Sequence, residues 1–131
     1  MKMITAAGKR KSAIAKATIK PGKGRVRINN KILAVHEPKM ARMKLEEPLI
    51  LAGDLAKDVD IKISVAGGGY ISQAEAARLA VARALVKYNK KLEKTFLEYD
   101  RHLLVADVRR KEPHKPNTSK SARAKRQKSY R

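Results

Sequence analysis

Apolar and polar residues alternate strictly over residues 59–65 (VDIKISV), with Val59, Ile61, Ile63 and Val65 on one side. A period of two over this length is the signature of a strand with one buried face. The same period runs more loosely through residues 12–20 (SAIAKATIK), where Ile14, Lys16, Thr18 and Lys20 share one side of a half-buried strand. Pro21-Gly22-Lys23-Gly24 closes it. A short strand is expected over 25–28 with Val26 and Ile28 on one face, followed by a tight turn at Asn29-Asn30 and a return strand over 31–35. The period then becomes helical. Around residues 38–52, Met40, Met43, Leu45, Leu49 and Ile50 are spaced as in an irregular helix that Pro48 interrupts and Gly53 ends. Beyond Gly67-Gly68-Gly69, Ser72 and Glu75 stand at the spacing of a capping box, opening a helix that runs to about Asn89. Its core stripe is Ala77, Val81, Ala84, Leu85 and Tyr88, with Arg83, Lys87 and Lys90 turned outward. A helical piece over 92–99 and a short apolar strand over 103–108 (LLVADV) complete the pattern. The order predicts one domain of the α/β (α+β) class over residues 12–108, since 131 residues suit one core plus tails.

Charge changes the picture at both ends. The formal net charge is +20, from 32 Lys and Arg against 12 Asp and Glu. Residues 1–31 carry ten cations and no acid, residues 109–131 carry ten cations against Glu112, and residues 32–108 are left with a balance of only +1. A near-neutral body with cationic extremities is the layout of a module that anchors on phosphate, where each neutralised phosphate releases condensed counterions. The reading therefore separates a basic N-terminal arm, 1–11, and an extended basic tail, 109–131. The tail has too few apolar side chains to offset an ordering cost of roughly 1–2 kcal/mol per residue, so it needs an anionic partner. Extended at about 3.3 Å per residue it would reach some 70 Å.

Other classes fit less well. No apolar run approaches the ~20 residues that cross a bilayer, residues 1–10 lack the apolar core of a signal peptide, and the chain reads as cytoplasmic. There is no Cys, and His36, His102 and His114 are scattered, so neither a metal nor another cofactor is expected. Phe96 and four Tyr leave little for base stacking. The glycine triplet between a strand and a helix could cradle an anion, but it lacks the Lys-Ser/Thr ending of a P-loop, and positive φ or close packing explains it more simply. The acids Glu46, Glu47, Asp54, Asp58 and Asp60 fall near helix ends and turns, and are assigned capping or solvated roles rather than catalysis. Asp100-Arg101, and Asp107 beside Arg109-Arg110, read as local ion pairs orienting the tail's exit. A DNA-compacting protein would explain the charge alone, and a metabolite kinase the glycines alone.

Gly67-Gly68-Gly69-Tyr70-Ile71-Ser72-Gln73, followed by Ala76, Ala80, Ala82, Arg83, Ala84 and Leu85, closely resembles the ninth small-subunit ribosomal protein family in its archaeal and eukaryotic branch. Further blocks agree: Gly8-Lys9-Arg10-Lys11-Ser12-Ala13, then Asp100-Arg101 with Leu103-Leu104-Val105-Ala106-Asp107 and Arg109-Arg110, and the closing Gln127-Lys128-Ser129-Tyr130-Arg131. The resemblance implies a two-layer sandwich of a mixed four-to-five-stranded sheet and packed helices with a left-handed βαβ crossover. It also implies a non-enzymatic constituent of the small-subunit head, with ribosomal RNA, peptidyl-site transfer RNA and neighbouring head proteins as partners, and neither a membrane nor a small-molecule substrate. Candidate ribosomal RNA contacts in the body are Lys9, Arg10, Lys11, Arg25, Gly67, Gly68, Gly69 and Arg83. In the tail they are Arg109, Arg110, Lys115, Lys120, Arg123, Lys125 and Arg126. Lys128, Ser129, Tyr130 and Arg131 would touch the anticodon stem-loop of transfer RNA. The chain departs from the family pattern at residues 115–121 (KPNTSKS), where relatives often have a glycine-rich stretch, and at Arg126, where they commonly place an aromatic ring.

Overall fold

A computed structural model describes residues 3–35, 39–110 and 116. Five strands form one mixed sheet in the order β1-β2-β5-β3-β4: β1 Ile4–Arg10, β2 Ala13–Pro21, β3 Val26–Ile28, β4 Lys31–Ile32 and β5 Val59–Ala66. All neighbours pair antiparallel except β3 with β5, which are parallel, so the chain between them must cross back over the sheet. That crossing carries α1, Lys39–Ala52. The remaining helices are α2, Tyr70–Tyr88, and α3, Leu92–Tyr99.

Alternation along the strands puts Ala13, Ala15, Ala17 and Ile19 of β2 and Val59, Ile61 and Ile63 of β5 on one face, all buried. Helix α2 lies across that face over β1 and β2, while α1 and α3 pack against α2. Because α2 is enclosed by sheet and helices, it buries Ala74, Ala76, Leu79, Ala80 and Ala82 as well as Ala77, Val81, Ala84 and Leu85 of the expected stripe, whose fifth member Tyr88 is half-buried. Alanine on so many sides lets strand and helix backbones approach closely, and at Gly8 the approach is closest. A Cβ there would lie 2.4 Å from the Ala76 carbonyl oxygen and 2.8 Å from the Ala80 nitrogen.

The sheet's other face is covered by no described element. Ile14, Lys16 and Lys20, which share one side of β2 as their alternation implies, stand exposed on it. Asn29 and Asn30 have φ of 48° and 72°, as a two-residue hairpin turn between β3 and β4 requires.

Several expectations are corrected. Residues 4–10, grouped by charge with a basic arm, form β1 and pair with β2 from Ile4↔Ile19 to Arg10↔Ala13. Burial here rests on Ala6 and Gly8, which carry almost no hydrophobic signal. The return strand stops at Ile32, and Leu33–Val35 turn into a 3-10 helix that buries Leu33. Pro48 lies inside α1 without ending it, its ring buried in the core, and Pro38 falls outside the described residues. Gly53, φ +62°, does follow the last turn of α1. Helix α2 begins at Tyr70 with Gly69 as its N-cap and no side-chain cap, so Ser72 and Glu75 make no capping box. No strand forms over 103–108: Arg101–Leu103 is a 3-10 turn burying Leu103, and the chain beyond it is held by arginine side chains instead of a ladder.

Candidate nucleic-acid interface

The first strand ends where the C-terminal segment begins. Arg10, only 12% exposed, donates Nε to Glu75 Oε2 at 2.7 Å and Nη1 to the Arg109 carbonyl at 3.3 Å, and its Nη2 lies 3.6 Å from Asp107 Oδ2. Its planar fork thus joins β1, α2 and the exit of the C-terminal segment, a reach a lysine ammonium cannot reproduce. Lys44 Nζ from α1 donates to the other Glu75 oxygen at 3.1 Å. Burial pushes Glu75 up, but the bonds from Lys44 and Arg10 outweigh it and hold the carboxyl below its ordinary value.

Asp107 accepts the backbone N–H of Arg109 at 2.9 Å and a forked pair from its guanidinium, Nη2 to Oδ2 at 2.7 Å. These bonds hold Asp107 far below the usual carboxylate range and raise Arg109. The ion pair expected from sequence therefore forms, and Arg10 reinforces it. Lys9, Lys11, Ser12, Arg109 and Arg110 line one groove at this corner. Lys11 occupies the tip of the β1–β2 turn at φ 54°, a conformation that costs a non-glycine residue roughly 1–2 kcal/mol.

Among the candidate contacts, Lys9, Lys11, Arg109 and Arg110 converge here. Arg10 sits among them as a clamp rather than as a free cation. Arg83 is reassigned: its Nε donates to the Leu104 carbonyl and its Nη1 to the Ala7 carbonyl, both at 3.0 Å. Lys87, one turn on, donates to the Thr5 carbonyl at 3.3 Å. Two residues of strand advance about 6.6 Å and four of helix about 6 Å, so cations at i and i+4 match carbonyls at i and i+2. The pair caps the free edge of the sheet, where unpaired carbonyls would otherwise invite another strand. Arg25 lies apart, on the open face of the sheet.

The glycine triplet is explained largely by backbone. Gly67 and Gly68 have φ of +77° and +65°, and a Cβ on Gly67 would meet the Ser12 carbonyl oxygen at 2.5 Å. Gln73 Nε2 donates to the Gly67 carbonyl at 3.1 Å, closing the loop on itself. Arg78, which sequence reasoning passed over, donates Nε to Glu47 Oε2 at 2.8 Å and Nη2 to Asp100 Oδ2 at 3.2 Å, tying α1, α2 and the turn after α3 together. Asp100 so pairs with Arg78 rather than with its neighbour Arg101, and it also accepts the His102 N–H. The His102 N–H foremost, and Arg78 with it, keep its carboxyl low against the opposing pull of burial. Lys115, Lys120, Arg123, Lys125, Arg126, Lys128, Ser129, Tyr130 and Arg131 lie outside the described residues.

Among the described residues, a mixed sheet is backed by helices on one face and presents exposed lysines and an arginine on the other, with a basic segment clamped at its edge: the charge layout of a module suited to a polyanion. The chain matches the family described as Ribosomal protein S9/S16 over residues 8–131. The small ribosomal subunit protein uS9 of Methanococcus maripaludis strain C5 is 54% identical over 134 aligned residues, with 100% of both chains covered. Its counterpart from Methanococcus vannielii is 52% identical over the same full length. The chain belongs to the ribosomal protein S9/S16 family, in its archaeal-type branch. It is a structural protein of the small ribosomal subunit, not an enzyme.

Proposed function

We propose that the groove of Lys9, Lys11, Arg109 and Arg110 grips ribosomal RNA phosphates in the subunit head, and that the basic segment leaving it contacts the anticodon stem-loop of peptidyl-site transfer RNA. The observation that supports this is the Arg10 clamp, which fixes Asp107 and Arg109 against β1 and so sets the point at which the basic segment begins. Residues 111–131 add eight cations against one acid, enough to follow a phosphate backbone over its length. In this reading Lys128 and Arg131 hold transfer RNA phosphate, Arg131 as a planar fork and Lys128 as a point charge. Lys115, Lys120, Arg123, Lys125 and Arg126 line the path through ribosomal RNA.

The test is deletion of residues 128–131. Because Lys128, Ser129, Tyr130 and Arg131 include no aliphatic side chain, subunits should assemble normally. Affinity for peptidyl-site transfer RNA should fall by about tenfold or more, as expected for the loss of two charged phosphate contacts of roughly 1 kcal/mol or more each. Unchanged transfer RNA affinity in fully assembled subunits refutes the assignment.

A further inference from the structure

The open face of the sheet holds a concentration of positive charge whose side chains enter no hydrogen bond or ion pair among the described residues. The register sets Arg27 of β3 directly beside Lys62 of β5, and Lys62 opposite Thr18 of β2, whose neighbours two residues away on the same face are Lys16 and Lys20. Like charges directly opposite on neighbouring strands are destabilising, and strands lie only about 4.8 Å apart. The one acid among them, Asp60, is already engaged: it accepts the backbone N–H groups of Lys23 and Arg25, both at 3.0 Å. Those bonds hold its carboxyl low, that from Arg25 foremost, and fix the turn from which Arg25 leaves. Lys16, Lys20, Arg27 and Lys62 are all exposed, and Lys20, Arg27 and Lys62 line a concavity of about 410 Å³.

We infer that this face is a second ribosomal RNA contact surface, centred on Lys16, Lys20, Arg27 and Lys62, that grips sugar and phosphate without reading bases. Charge complementarity selects a polyanion. The residue types narrow the mode of binding further. No strand of the sheet contains an aromatic residue, so the strands offer no aromatic ring on which bases could stack. Thr5, Thr18 and Ser64 lie on the same side of their strands as the cations and supply hydroxyls within reach of phosphate and 2′-hydroxyl groups. From the row of Lys9 and Ile14 to the row of Thr18, Lys62 and Arg27 is four residues, about 13 Å along the strand. The face is therefore continuous with the corner groove, and one folded RNA can lie across both.

The inference rests on the ribosomal RNA reading of the preceding section, and its test separates the two. A full-length variant with Lys16, Lys20, Arg27 and Lys62 each changed to Gln is compared with the wild type and with a control carrying Lys90, Lys91 and Lys94 changed to Gln. Circular dichroism first establishes that each is folded; relief of the like-charge contacts should leave the face variant at least as stable as the wild type. Binding to a transcript of the 3′ domain of small-subunit ribosomal RNA is then measured across salt. Four lost phosphate contacts should make the slope of log affinity against log salt shallower by about 3–4. The wild-type advantage should accordingly shrink on the order of a hundredfold between about 50 and about 200 mM salt, while the control keeps the wild-type slope. Hydroxyl-radical footprinting should lose one patch of backbone protection and retain the patch that depends on the corner groove. An unchanged slope and footprint in the folded variant overturns the inference while leaving the corner groove intact. If subunit incorporation is also lost, the face belongs to a protein neighbour instead. A wild type that binds the transcript without salt dependence overturns both readings.

Discussion

Replacing Arg10 by Met removes the clamp while preserving much of the stem's apolar packing. Three contacts disappear. The Glu75 pair at 2.7 Å, with side chains 12% and 29% exposed, lies between the exposed-pair range of about 0.2–1 kcal/mol and the 1.5–3 kcal/mol of a sheltered charged hydrogen bond. The bond to the Arg109 carbonyl at 3.3 Å is long and contributes at the low end, about 0.5 kcal/mol. The Asp107 contact at 3.6 Å exceeds hydrogen-bonding distance and sets position more than energy. Glu75 keeps Lys44 as a partner, which limits the penalty of leaving it unpaired. The loss should be about 2 kcal/mol in all, and with a urea m value of about 1.5 kcal/mol per M the midpoint falls by about 1.3 M at constant m. Arg10→Lys should recover less than half of this, because an ammonium cannot span Glu75 and the Arg109 carbonyl together. A cycle with Glu75→Gln should show a coupling of about 1 kcal/mol. If R10M leaves the urea midpoint where it was, or if R10K matches the wild type, the fork does not hold the segment and the reasoning fails.

Gly8→Ala should destabilise the fold by about 3 kcal/mol, since both atoms its Cβ would strike belong to the α2 backbone and cannot rotate away; a thermal melt within a few degrees of wild type would contradict this. Lys11→Gly relieves a left-handed turn position, so stability by urea unfolding should hold or rise by up to about 1 kcal/mol. Ribosomal RNA affinity should meanwhile fall with a salt slope shallower by about one, so stability and binding moving down together would refute the division of roles. For Glu75, a folded value below the unfolded one means that its stabilisation is fully present above the unfolded value and is lost as pH falls through the folded value. The advantage of wild type over Glu75→Gln should hold above about pH 5 and shrink below about pH 4, and an advantage that persists undiminished at about pH 2.5 would show that the carboxylate's charge is not its source.

The parts of the fold visible in the sequence are those where local pattern and burial coincide. In β5 every second residue from Val59 to Ile63 is both apolar and buried, and at Asn29-Asn30 the residues that tolerate positive φ stand where the turn needs them. The strand β1 was hidden because its buried positions are Ala6 and Gly8, chosen for smallness against α2, so that close approach takes the place of hydrophobicity. The opposite failure occurs at 103–108, where apolar residues suggest a strand but only Leu103 is deeply buried and Arg83 and Arg10 take the carbonyls of Leu104 and Arg109. Charge located Lys9, Lys11, Arg109 and Arg110, whereas their convergence depends on a pairing 99 residues apart in the chain. Arg83 shows the limit of such reading: its helical position faces outward by period, yet the edge of β1 lies within reach of its fork.

The chain contains no Cys, so single cysteines at Lys11→Cys and Ser129→Cys can each carry a unique hydroxyl-radical probe. Both variants would be assembled into small subunits with transfer RNA bound at the peptidyl site. The account predicts that the probe at position 11 cuts ribosomal RNA only, and that the probe at position 129 cuts the anticodon stem of the transfer RNA. Absence of ribosomal RNA cuts from position 11, or of transfer RNA cuts from position 129, would contradict it.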